Sequence, residues 1–296
     1  MIKMTINEIY NSYDIENNIV NRNAIKCLLK TLIRKGLAKI EGQYYMFDQN
    51  NFYYLLDIYK KLLSFFDFFY SLKSDLTSMF DYLLDIKEND SSLSFNAFFC
   101  PGYSTNGGYK DYLGNTTTSK LKILSEISEF FKKQKIPHEI NCYYCDSYIE
   151  NCNDKVNANW YKELLFNRDL FDKEASQYFE NKNIYHISDL DIFKNEENLG
   201  GHIDPGVIER VNKKVYRSFY IANEAFYKKI GFSKEKMQER NDILVTMYIK
   251  VSDYINSIDN GIYLPMENMY DREKIIANND TCTMYLKQRL VKKNEK

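Results

Sequence analysis

The sequence predicts an α/β fold on a mostly parallel sheet, from three observations. Residues 94–100 form a short apolar run that reads as a strand ending at Cys100. A loop rich in Pro and Gly follows over 101–114, then an amphipathic helix over 116–135. Residues 140–145 form a second strand that ends at Asp146. Strand, glycine loop, helix, strand is a βαβ unit. In open α/β sheets the ligand sits beyond the carboxyl ends of the strands. That gathers Cys100, Gly102, Ser104, Asn106 and Asp146 around one predicted pocket, in an enzyme with a Rossmann-like core.

Ahead of this core, residues 1–48 have the pattern of a winged helix. A short helix is expected over 5–13, and a second one, capped by Asn21 or Asn23, runs to Arg34. Its apolar positions Ile25, Leu28, Leu29, Leu32 and Ile33 follow helical spacing, and Gly36 is the expected terminator. A hairpin over 37–47 turns at Glu41-Gly42. Lys26, Lys30, Arg34 and Lys35 would face DNA if this helix were a reader, whereas an accessory region serves dimerisation or substrate covering. The acidic balance of the chain favours the accessory reading.

Residues 51–87 are helical and apolar along a wide stripe, as one long helix or two. They bridge the wing to the core or pack between two subunits of a homodimer. The polar run 87–92 is the best boundary. The expected division is therefore 1–48 winged-helix-like, 49–90 helical linker or dimerisation helices, and 91–296 Rossmann-like catalytic domain. Within the last, helices are expected over 155–180, 207–229 and 233–258. A short strand is expected over 184–187, and closing strands over 261–265 and 283–287.

Composition narrows the function classes. The net charge is −1, so the basic excess of a dedicated duplex-DNA binder is missing. Tyr (26) and Phe (19) are abundant beside much Asn, Lys and Ile, which reads as the drift of an AT-rich genome plus core packing rather than a stacking surface. Apolar runs fall short of the roughly 20 residues of a membrane span. The first residues carry no signal-peptide pattern, so a soluble, cytoplasmic protein is expected. Cys142 and Cys145 have metal-site spacing, but no second ligand pair accompanies them, and they read as buried strand thiols. No metal and no cofactor are expected.

Three further groups can carry chemistry. The 100–108 loop offers a thiol, a hydroxyl and free backbone N–H groups before a helix, which suits an anion or a carbonyl oxygen. It has neither Gly-x-Gly-x-x-Gly nor a P-loop lysine. Ser104 as nucleophile needs a base or positioned donors. Among the three histidines, His138 lies at the amino end of its strand and His186 within a short strand. His202, in a glycine loop with Asp204, is the better base or substrate ligand. Near the carboxyl end, Glu267 or Asp271 can grip an amine, and Arg272 a carboxylate or phosphate. Arg210, Lys213, Lys214 and Arg217 form a basic stripe able to follow an RNA backbone or a phosphate.

Gly102-Tyr103-Ser104, with Asn106 soon after, resembles the nucleophile loop of the cyclodipeptide synthases, whose Rossmann core is similar to class I aminoacyl-tRNA synthetases. Tyr263 and Glu267 have the spacing of that family's Tyr/Glu pair, although Pro265 argues against the helix on which the family carries it. The resemblance implies acyl transfer from aminoacyl-tRNA to Ser104, with Tyr263 and Glu267 as catalytic partners. Ala97 to Cys100, Lys110 to Gly114 and Asp146-Ser147 also resemble the isonitrile synthases, which implies an amino acid and a sugar phosphate as substrates.

The expected function is thus a biosynthetic transferase acting on an amino acid or aminoacyl group, with tRNA as a candidate partner. Ser104, Tyr263 and Glu267 are the expected catalytic residues. Cys100, Gly102, Asn106, Asp146, His202 and Arg272 are the expected substrate ligands. Isonitrile-type synthesis and a ligand-sensing winged-helix regulator are the alternatives.

Overall fold

The computed structural model describes residues 1–89, 91–99, 115–144, 158–190, 205–211, 213–229, 231–257, 261–265 and 282–287. The chain is mixed α/β and forms two compact units. The first comprises Met1–Leu93, Glu129–His138 and Cys282–Lys287; the second comprises Ser94–Ser128, Glu139–Thr281 and Gln288–Lys296.

The first unit opens with β1 (Ile2–Thr5), α1 (Ile6–Ser12), α2 (Ile19–Arg34), β2 (Ala38–Glu41) and β3 (Tyr44–Phe47). The three strands pair antiparallel in the order β1-β3-β2. Thr5 caps α1 in a capping box with Glu8, and Asn18 caps α2 through Asn21 N, three residues ahead of the cap expected at Asn21. Gly36 (φ +72°) ends α2 and Gly42 (φ +62°) turns the hairpin, both in the left-handed region that glycine reaches without penalty. Strand β1 is a finding the sequence did not signal. Four residues are too short for a periodic pattern, and pairing of Ile2 with Phe47 supplies the order.

The apolar stretch beyond residue 48 is two helices, α3 (Gln49–Leu62) and α4 (Lys73–Asn89). Their wide stripe is largely filled from within the same unit. Phe52, Leu55, Tyr59, Leu76, Phe80 and Leu83 are all buried. Tyr59 donates to Asn21 Oδ1 at 2.8 Å, and its ring meets Phe68 at 5.2 Å. The helices separate because residues 65–67 leave the helical path and bond to 285–287. Asp67 N donates to Tyr285 O at 2.6 Å and Lys287 N to Phe65 O at 2.8 Å. Asp75, buried at the head of α4, accepts from Leu72 N at 2.7 Å and from Thr283 N at 3.4 Å.

The larger sheet has five strands in the order β6-β5-β4-β7-β8, namely β4 (Leu93–Phe99), β5 (His138–Tyr144), β6 (Ile184–His186), β7 (Gly261–Leu264) and β8 (Cys282–Thr283). β4 pairs with β7, and β5 with β6, both parallel. The predicted crossover helix is α5 (Asn115–Lys133). Among the described residues the remaining α-helices are α6 (Ala158–Ala175), α7 (Pro205–Arg210), α8 (Lys213–Lys229) and α9 (Lys234–Ser257). The single helix expected over 207–229 is two, interrupted between Arg210 and Lys213.

Within the second unit one face of the sheet is laid out in rows. Ser94 donates to Glu139, and Asn141 Nδ2 to Asn96 Oδ1 at 3.3 Å. Asn183 Nδ2 reaches Asn141 Oδ1 at 3.3 Å. Toward the carboxyl ends the row turns aromatic. Phe98 stacks on Tyr143 at 5.3 Å, Tyr143 on Tyr185 at 4.9 Å, and Tyr263 meets Phe98 edge-on at 5.4 Å. Tyr254 of α9 covers Tyr143 from above at 6.4 Å. The opposite face carries Phe99 and Tyr144 against Phe171 of α6. Alternation along each strand places these two sets on opposite faces.

Candidate functional site

The sheet order sets where a ligand can enter. From β4 the chain crosses through α5 to β5 on one side, with β6 beyond it, while β7 lies on the other side of β4. The crevice between β4 and β7 is therefore a topological switch point, the place where open α/β sheets take their ligands.

Lys120, in the second turn of α5, spans that crevice. Its side chain is buried, and Nζ donates to Phe98 O at 2.6 Å, Leu264 O at 3.3 Å and Pro265 O at 2.7 Å. It also stands 4.9 Å from the centre of the Phe99 ring. One ammonium thus ties the end of β4 to the end of β7. Withdrawing it from water carries a large desolvation penalty, which the charge-assisted bonds offset. The same charge opposes the effect of burial on Cys142, whose thiol is nonetheless pushed up to about 12.

A second polar pair closes β6. His186 Nε2 lies 2.9 Å from Asp172 Oδ1 of α6, and the His186 ring meets Tyr144 edge-on at 5.9 Å. Next to it, Glu174 accepts from Thr118 Oγ1 of α5 at 2.9 Å. The α6 turn of 171–174 therefore lies against the carboxyl ends of β4, β5 and β6.

Of the residues expected at the site, Tyr263 is described. It sits on β7, buried, with its ring against Phe98. Its element is a strand. Cys100, Gly102, Ser104, Asn106, Asp146, His202, Glu267 and Arg272 lie outside the described residues. His138 opens β5, as expected, with Nδ1 2.9 Å from Ile136 O. The basic stripe is divided: Arg210 ends α7, while Lys213, Lys214 and Arg217 belong to α8, with Lys213 and Arg217 exposed.

Of the basic residues of α2, Lys26 and Lys30 are exposed, whereas those at its C-terminal end are drawn to α4. Arg34 pairs with Asp81, and Lys35 with Asp85 at 2.5 Å, both partners on α4. Thr31 Oγ1 donates to Thr77 O at 3.4 Å along the same contact. The last turn of α2 faces α4. Among the described residues no group of His, Cys, Asp and Glu could hold a metal ion. No helix there is long and apolar enough to cross a membrane.

Lys120 is the residue that sequence reasoning missed. A signal for it existed: Lys120, Leu124, Ile127 and Phe131 share one helical stripe, and the last three are buried. A lysine in register with an apolar stripe is a candidate buried cation. No protein-family model matches the chain, and no curated protein matches it significantly.

Proposed function

We propose that the chain is a biosynthetic transferase acting on an amino acid or aminoacyl group. In this reading the second unit is the core of a Rossmann-like catalytic domain spanning 91–296. Residues 1–48 form a winged-helix-like accessory region, and 49–90 are the helices that follow it. The observation that supports it is the switch point between β4 and β7, clamped by Lys120. Ser104 follows the end of β4 closely in the sequence, and in this reading it would be among the groups that such a crevice presents to a ligand.

Ser104 Oγ would attack the carbonyl carbon of an aminoacyl ester and release the esterified hydroxyl, and the amine of a second amino acid would then displace Ser104 to form the amide bond. Asp146 and Glu267 would orient the amines, and Tyr263 would pack beneath them. Arg210, Lys213, Lys214 and Arg217 would follow a tRNA backbone, with a salt-dependent affinity.

The accessory role of residues 1–48 is favoured over DNA reading by the pairing of Arg34 and Lys35 with α4. The test is a comparison of metabolites from cells expressing the wild type and Ser104→Ala. A nitrogen-rich product present with the wild type alone supports the reading. Full product formation by Ser104→Ala removes the nucleophile.

A further inference from the structure

Asn167, on α6, is completely buried, and neither its side-chain nitrogen nor its oxygen has a hydrogen-bond partner among the described residues. Native interiors rarely leave a polar group in that state, and an amide unpaired at both ends asks for a reason. Its neighbours give its position. Four residues on, Phe171 stacks on Tyr144 (4.6 Å, 18°) and packs on Phe99 (4.9 Å). Asp172 is bonded to His186. Phe99, Tyr144 and His186 are the last residues of β4, β5 and β6. Residues four apart share a helix face and stand about 6 Å apart along the axis. Asn167 therefore lies one turn from an aromatic layer at the carboxyl edge of the sheet, on the buried face of α6.

The chemistry of the vacant partner follows from the amide. A primary amide presents an N–H donor and a C=O acceptor side by side in one plane. Its complement carries an acceptor and an N–H donor on one planar edge. Carboxamides have such an edge, and so does adenine, through N7 and the N6 amine.

We propose that Asn167 is a ligand-binding residue that reads the planar amide-like edge of a substrate, either a carboxamide or an adenine. The proposal rests on the carboxyl-edge pocket of the transferase reading and not on its Ser104 chemistry.

The test is thermal melting of the full chain with benzamide and with adenosine. Benzoate and purine riboside, which lack the N–H donor of each, are the controls. Asn167→Leu replaces the amide by an apolar group of similar size. The expected result is a rise in Tm with at least one of the two amide-edged probes and none with its control. Asn167→Leu alone should melt no lower than the wild type, and the probe should no longer move it. A response to benzamide alone assigns a carboxamide ligand, and a response to adenosine alone assigns an adenine. No shift with either probe in the wild type overturns the proposal, as does a shift that survives in Asn167→Leu. Should that variant fail to fold, calorimetric titration of the wild type decides: benzamide or adenosine must bind at least about tenfold tighter than its control. The readout needs no turnover, so its failure leaves the Ser104 chemistry standing, and an inert Ser104 leaves this contact standing.

Discussion

Gly261 and Asn96 meet so closely that a side-chain carbon on Gly261 would stand 2.5 Å from Asn96 Nδ2. That approach lets Asn96 hold its place in the amide row with Asn141. Gly261→Ala must push the Asn96 amide aside and disturb the row. The expected loss is about 1–3 kcal/mol, in the range of other overpacked cores. Urea unfolding measures it. An unchanged midpoint would mean that Asn96 swings away freely and that the row contributes little.

Lys120→Met keeps the length of the side chain and removes its charge. Phe98 O, Leu264 O and Pro265 O then lose their shared donor in a site that water does not reach. A loss of about 3 kcal/mol is expected, since bonds to a charged group are strong and stranded carbonyls stay desolvated. Chemical denaturation reads this directly. A variant as stable as the wild type would show that the ammonium is dispensable as a clamp.

Burial raises the thiols of Cys142, to about 12, and of Cys27. A raised value leaves little thiolate near neutrality, and the thiolate is the reactive form. Native protein treated with iodoacetamide at about pH 8, near the ordinary cysteine value, should therefore leave both unmodified. The same treatment in guanidinium should label both. Peptide mapping by mass spectrometry distinguishes the states. Fast native labelling of Cys142 would mean that the β4–β5 layer opens.

Tyr216 donates to Asp242 on α9. Burial holds the Asp242 carboxyl above its usual range, and the Tyr216 bond works against that rise. The folded state therefore binds the proton more tightly than the unfolded chain does. Stability from this group is present below the ordinary carboxylate value, about 3.9, and is lost as pH rises through the folded value. Asp242→Asn should accordingly gain on the wild type at neutral pH relative to its standing in acid. Unfolding of both proteins at about pH 3.5 and pH 7, either side of that carboxylate value, checks the sign. A difference that does not change with pH would remove the assignment.

The strand–helix–strand unit was legible because its period is strong: β4 is apolar, and α5 repeats apolar residues at helical spacing through Leu121, Leu124, Ile127 and Phe131. The hairpin was legible because Gly36 and Gly42 supply backbone angles that few other residues adopt. The rest depends on partners distant in sequence. β1 is ordered by β3, and the gap between α3 and α4 by residues 285–287. Lys120, Asn96, Asn141 and Asn167 look like solvent-facing residues one at a time, and only their register with buried neighbours marks them as interior. Eight of the nine residues expected at the site lie outside the described residues.

The bonds of residues 65–67 and Asp75 to residues 282–287 set an order of events during synthesis. The first unit emerges from the ribosome early, yet the segment that completes it is made more than 200 residues later, Thr283 being 208 positions beyond Asp75. At typical elongation rates of about 5–20 residues per second, the nascent first unit waits many seconds with Phe66 and the head of α4 uncovered. That interval, rather than the finished protein, is when the chain is most exposed to misassembly and most in need of a chaperone.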